Sequence, residues 1–336
     1  MTRPKVLLIG ATGNVGGSIL EALLAADQFD IEILIRPNSA TKPSVQALTT
    51  QRGIPGRIVD LDGPEDELVP ALAGVDILIV TVGPALVAQQ KKLVWAAKRA
   101  GVQRFVPSSY ITIAPPRGAM LLREMKEEII NEIKLHNLGY TIIDVGYWYQ
   151  LSCPPLPSGR IDYAIPLPDA TRTVHGAGDA PNILIDLADI GRYVARILAD
   201  ARTLNRYVYL CGEVLTENQV LGVVEEMAGE EVDRIYEPLD VTTEKALQAF
   251  RELEEARSTT GRVNPDDEDN WEKLVPVLLT QYRVSKYVRQ DNQPHVAEYL
   301  GYLDARQLYP DLRPRLFREF FAEMLAGKGR NPYAYA

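Results

Sequence analysis

The chain has 336 residues, 46% of them apolar and 24% charged, with a formal net charge of −9. That profile fits one large or two medium globular domains. Negative charge without a Lys/Arg run excludes the electrostatic footprint of a nucleic-acid or acidic-membrane binder, so neither partner is expected.

Cys153 and Cys211 stand far apart, and His136, His175 and His295 show no ligand spacing. A disulfide framework and a metal site are therefore not expected, and a reducing, cytoplasmic setting is. The opening MTRPKVLLIG carries too short an apolar run for a signal peptide. The apolar stretch from Val75 to Ala88 contains Asp76, Gly83 and Pro84 and falls short of the roughly 20 residues a membrane span needs.

In chain order, strand-like runs alternate with helical ones. KVLLIG, IEILIR (31–36), RIVD (57–60), DILIVTVG (76–83), RFVPSS (104–109) and YTIIDVG (140–146) read as strands. ALVAQQKKLVWAAKRA (85–100) and EMKEEIINEIKLH (124–136) show helical periodicity. The pattern predicts an α/β fold, a doubly wound Rossmann-type parallel sheet with helices on both faces. After about residue 150 the composition turns proline-rich, which suggests a nucleotide-binding domain over 1–150 and a smaller C-terminal substrate-binding region over 151–336. Within that region DIGRYVARILAD and RYVYLCG read as a helix and strand that return to the sheet, around 183–211. TTEKALQAFRELEEAR and FREFFAEMLAG read as amphipathic helices, with the acidic NPDDEDN (264–270) as a solvated loop.

Gly10, Gly13 and Gly16 follow the first strand and open a helix. Small residues there let the backbone turn sharply and approach a pyrophosphate at the helix N-terminus. Thr12, Asn14 and Val15 complete GATGNVG. The second strand ends in Arg36, with Lys42 beyond it; a cation in place of a carboxylate favours NADP(H) over NAD(H), against the alternative of a solvated strand-end arginine. Thr81, Val82 and Gly83 bring the fourth strand's end close to the cofactor. Asp60 lies either near the adenine or in a loop cap.

Two lysines compete for a catalytic part. Tyr282 to Lys286 in YRVSK has the Tyr-x-x-x-Lys spacing in which a lysine lowers a tyrosine's pKa, but it lies far beyond the nucleotide-binding half and reads as coincidence. Lys126 shares a helical stripe with Leu122, Ile129, Ile130 and Ile133, so it faces the sheet and must reach a cleft or a partner, unless it snorkels from the rim of the core.

These segments together resemble the NmrA-like, isoflavone reductase-like family of atypical short-chain dehydrogenases. GATGNVG resembles the family's glycine loop, IRP its arginine turn and RFVPSSY its R-F-x-P-S-E-F/Y stretch. DIGRYVARILADARTLNRYVYL and LDARQLYP resemble its later signatures. The family places its catalytic lysine fourteen residues before a Tyr-Thr pair, the register of Lys126 to Tyr140-Thr141. The resemblance implies hydride transfer from NADPH to a conjugated, phenolic or secondary-metabolite-like substrate. Lys126 would be proton donor or relay with Tyr110 beside it, Ser108 would lie on the cofactor, and Tyr147, Trp148 and Tyr149 would line an aromatic pocket. Ser109 stands where glutamate is usual and Ile111 where glycine is usual. A non-catalytic NADP(H) sensor and a scaffold for isomerisation or cyclisation stay open as alternatives, as does a homodimer.

Overall fold

The computed structural model describes residues 3–260 and 268–334; most of the acidic segment 264–270 lies outside them. Five apolar runs form a parallel sheet: β1 (Lys5–Ile9), β2 (Asp30–Ile35), β3 (Gly56–Ile58), β4 (Ile77–Val80) and β5 (Arg104–Val106), in the order β3-β2-β1-β4-β5. Val6, Leu7, Leu8, Leu78, Ile79 and Val80 are fully buried, because helices cover both faces of the sheet. The order reverses between β1 and β4, and a crevice opens beyond the carboxyl ends of these strands.

β6 (Thr141–Asp144) adjoins β5 through a bridge between Phe105 and Tyr140. Two late segments pair beyond it in parallel, β10 (Arg206–Tyr209) on β6 and β13 (Tyr302–Asp304) on β10. The helix Leu187–Ala199 packs on Asn14–Ala26 so closely that a Cβ on Gly191 would lie 2.0 Å from the Ser18 carbonyl. The Ser18 hydroxyl donates to the Leu187 carbonyl at 2.6 Å and accepts from Gly191 N–H at 3.0 Å. Asp189, buried in the same turn, accepts from Arg192 and from the backbone of Arg315.

The remaining strands are short: β7 (Tyr147–Trp148), β8 (Thr173–His175), β9 (Asn182–Ile185), β11 (Glu213–Leu215) and β12 (Ile235–Glu237). They form two small sheets, β11-β9-β7 and β12-β8. A separate core gathers Leu156, Ile161, Val224, Phe317 and Phe321, between the proline-rich segment and the helices Glu217–Ala228 and Phe317–Leu325. Among the described residues no helix is long and apolar enough to cross a membrane, and none hold three or more His, Cys, Asp or Glu placed for a metal ion.

Candidate active site

The glycine loop is built around close contacts. Gly10 has φ of +86°, and a Cβ there would sit 2.4 Å from the Thr81 carbonyl. A Cβ on Gly16 would sit 2.1 Å from the Gly10 carbonyl and 2.6 Å from Thr81 Oγ1, whose hydroxyl donates to the Ile9 carbonyl at 2.7 Å. The helix that begins at Asn14 has no side-chain cap and no acidic residue in its first turn. Its leading N–H groups and positive dipole end are therefore free for an anion. Val15 packs against the core, while Thr12 is exposed and the Asn14 amide donates to the Pro332 carbonyl at 2.7 Å.

Arg36 is half-buried beyond the end of β2, and Lys42 is exposed; neither side chain has a hydrogen-bond or ion-pair partner among the described residues. Asp60 is exposed and accepts the backbone N–H of Asp62 at 3.0 Å, a local turn. Val82 accepts a hydrogen bond from Ser108 Oγ at 2.7 Å, and Ser108 N–H is held by the buried Gln90 at 2.8 Å. Gly83 has open space where a Cβ would be. The uncapped helix end, the glycine cradle and the unpaired guanidinium fit a phosphorylated dinucleotide laid across the switch point. Lys328 and Arg330, which flank Gly329 in a cleft against Thr12, Gly13 and Asn14, add positive charge there. Sequence reading did not find them, because nothing local ties a C-terminal lysine to an N-terminal loop.

Lys126 lies on the helix Leu121–Leu135, 5% exposed, and its ammonium donates to the Ser108 carbonyl. No carboxylate among the described residues is within ion-pair distance of it. Burial lowers its pKa to about 7, opposed by Asp144 and assisted by Arg123. One turn earlier Arg123, 2% exposed, bonds Asp144 at 2.5 Å, the Tyr302 hydroxyl at 2.6 Å and Glu127 at 2.8 Å. This buried network ties the lysine helix to β6 and β13. Sequence analysis missed it, since its members are spread from residue 123 to residue 302.

Tyr110 sits at a φ of +44°, an unusual conformation for a bulky side chain. Its hydroxyl is buried without a partner among the described residues, and burial pushes its pKa well up. The Ser109 hydroxyl is likewise buried and unpartnered among them. Ile111 enters an apolar cluster with Leu122, Leu253 and Val277.

Of the three aromatic residues expected around a pocket, Tyr147 lines a cavity in the second region. Trp148 packs on the main core instead. Tyr149 is fully buried: the tight turn Tyr149–Leu151 rotates it against Phe317 and Phe320, with its hydroxyl 3.2 Å from the Arg315 carbonyl. The YRVSK segment, read as coincidental, supplies both Tyr282 and Lys286 to this cavity. They do not form the dyad that their spacing suggests. A π-turn over Val284–Val288 swings Lys286 onto the Tyr147 ring, 3.3 Å from its centre, and onto the Tyr287 hydroxyl at 3.0 Å. The C-terminal segment links the two sites: Pro332 rests on Asn14, and the half-buried Tyr147 and Tyr282 have pKa values raised chiefly by desolvation and further by the nearby Tyr333.

Fold and site together define a Rossmann-type nucleotide-binding protein with a lysine at the crevice. The model of the NmrA-like family matches residues 2–321, and the chain belongs to that family. It is 37% identical over 325 residues to asnovolin J 5',6'-dehydrogenase of Aspergillus novofumigatus, covering 96% of each chain. It is 26% identical over 336 residues to an isoflavone reductase-like protein of Olea europaea, covering 96% of this chain and 99% of the other. Among solved structures, the binary complex of leucoanthocyanidin reductase with NADPH from Vitis vinifera superposes with a TM-score of 0.75. The two are 18% identical, with 96% and 99% of the chains covered; the likeness shows a shared fold.

Proposed function

We propose that the protein is an NADPH-dependent reductase of a small conjugated or phenolic substrate, with Lys126 as the proton donor or relay. The relatives named as a dehydrogenase and as an isoflavone reductase-like protein support the redox reading. The observation that carries the residue assignment is an ammonium 5% exposed and without a carboxylate partner at the carboxyl edge of the sheet. A structural lysine in the core is normally paired.

The glycine loop would hold the pyrophosphate, Arg36 the 2′-phosphate, and Val82, Gly83 and Ser108 the approach to the nicotinamide. When bound, the cofactor supplies the hydride. The Ser108 carbonyl fixes the Lys126 ammonium, and a pKa near 7 lets that group give up a proton to an oxygen developing negative charge. The Arg123–Asp144 pair holds the lysine helix in register while this occurs.

The test is NADPH oxidation against a panel of enones, quinones and benzylic ethers, with wild type and Lys126→Ala. Wild type should turn over at least one class, and the variant should lose about 10²–10⁴-fold in kcat while still binding NADPH. Turnover unchanged in the variant removes Lys126 from the chemistry. Tight NADPH binding with no turnover on any compound favours the sensor reading.

A further inference from the structure

A second cluster of titratable groups surrounds the far cavity, and the mechanism above uses none of it. Lys286 is 4% exposed, and its ammonium touches the Tyr147 face and the Tyr287 hydroxyl. His175 is 3% exposed and stacks on the Tyr287 ring at 4.3 Å with 7° between the planes. Its Nδ1 lies 2.9 Å from the Glu217 carboxylate, which also accepts the His175 backbone N–H at 2.8 Å. Glu217 opens the helix Glu217–Ala228, where a carboxylate is stabilised by the helix dipole.

The tautomer follows from these contacts. A carboxylate only accepts, so Nδ1 carries the proton, and in the neutral ring Nε2 is left as a lone-pair acceptor. His175 Nε2 is buried and has no hydrogen-bond partner among the described residues, although its ring lines the cavity. Leaving such an atom unsatisfied is costly, so a native site normally fills it with a ligand or an ordered water. The cavity wall therefore holds an unpaired acceptor, His175 Nε2, beside spare donors on Lys286 Nζ.

We propose that Lys286 and His175, the latter oriented by Glu217, form a specificity anchor that takes a hydroxyl group at one end of the substrate, a phenol or an enol. A hydroxyl both donates and accepts, and so satisfies the two groups at once. A ketone or an ether oxygen can accept from Lys286 but leaves His175 unpaired. The cavity volume of about 70 Å³ is below the ~150 Å³ that admits a whole benzene ring, so the anchor holds the hydroxyl end while the rest extends outward. Tyr147 and Tyr282, with ring centres 6.1 Å apart, flank it with aromatic surface. The anchor is a specificity feature of the reductase reading above and rests on it.

Calorimetry of the NADP⁺-loaded protein with 4-(4-hydroxyphenyl)but-3-en-2-one and its 4-methoxy ether tests the anchor without turnover. Wild type should bind the phenol about tenfold or more tightly than the ether. His175→Phe should abolish most of that preference while leaving NADP⁺ affinity and ether affinity unchanged. Lys286→Met, which removes the donor that both oxygens use, should weaken both compounds and leave NADP⁺ affinity unchanged, and Tyr287→Phe, which cuts the hydrogen bond to Lys286, should weaken both by less. Equal affinity of wild type for the two compounds, including no measurable binding of either, overturns the anchor even if every variant misfolds. So does a preference that survives in folded His175→Phe. Failure of NADPH oxidation with the phenol preference intact would count against the reductase reading and leave the anchor standing.

Discussion

Lys126 and Lys286 are both ammonium groups in apolar surroundings, and burial lowers each to about 7 from an ordinary 10.5. Between those values the unfolded chain binds protons that the folded protein does not, so these two groups make stability rise with pH from about 7 toward 10.5, and below about 7, where both states are protonated, their penalty is constant. Lys126→Met removes a desolvated charge and should raise the urea midpoint, by about 1 kcal/mol or more in unfolding free energy at pH 6. A midpoint that drops instead would show the lysine to be part of the folding core. In turnover the sign is opposite. A lysine acting as an acid must be protonated, so kcat should decline as pH rises through about 7, a limb read from the pH–rate profile.

Arg36 is the proposed selector of the coenzyme at the same scale. It is half-buried at the end of a buried strand with nothing paired to it among the described residues, and a charge-assisted hydrogen bond to a phosphate is worth about 1.5–3 kcal/mol. Arg36→Ala should weaken NADPH about 10- to 100-fold and leave NADH nearly unchanged, as measured by fluorescence titration. An equal loss for both coenzymes would move the 2′-phosphate contact elsewhere.

At the scale of elements, the glycines fix how strand, loop and helix approach one another. Gly16→Ala places a methyl 2.1 Å from the Gly10 carbonyl, and both atoms belong to backbone that cannot turn aside. It should cost roughly 1–3 kcal/mol of stability and abolish coenzyme binding together, whereas Gly83→Ala, with open space around it, should fold normally. The D-I-G and R-T-L-N signatures belong to this scale too. Gly191 admits the contact of two helices, Asp189 ties that turn to Arg315, and Asn205, at a φ of +58°, accepts the Tyr140 N–H at 3.1 Å. These residues assemble the sheet, and the chemistry lies elsewhere. Arg123 and Asp144 do the same for the lysine helix through a pair exposed by 2% or less.

Across the whole molecule the chain crosses between its two cores several times, and its last segment runs from the glycine loop to Tyr147 and Tyr282. Coenzyme binding therefore acts on a structure whose two sites share one strap. A ligand that binds only the folded form at about 100 times its Kd adds about 2.7 kcal/mol, so NADP⁺ should raise the thermal midpoint by several degrees. Truncation after Gly329 should reduce that gain by removing the Pro332 contact to Asn14.

The amino-terminal half was legible because its signals are local. Uniformly apolar runs read as buried strands, and the glycines between β1 and its helix, the arginine after β2 and the helical stripe through Lys126 each lie within a few residues of one another. The α/β order of the first six strands needed no more than that. The second region was not legible in the same way: β8, β9, β12 and β13 pair with partners far along the chain, so nothing beside them in sequence marks the pairing. Tertiary structure alone decided that Tyr149 is core, and that a π-turn lays Lys286 on the Tyr147 ring. It alone brought His175, Glu217 and Tyr287 around one cavity. Contacts between distant segments carry no spacing for a sequence to display, and only the folded backbone sets which side chains meet.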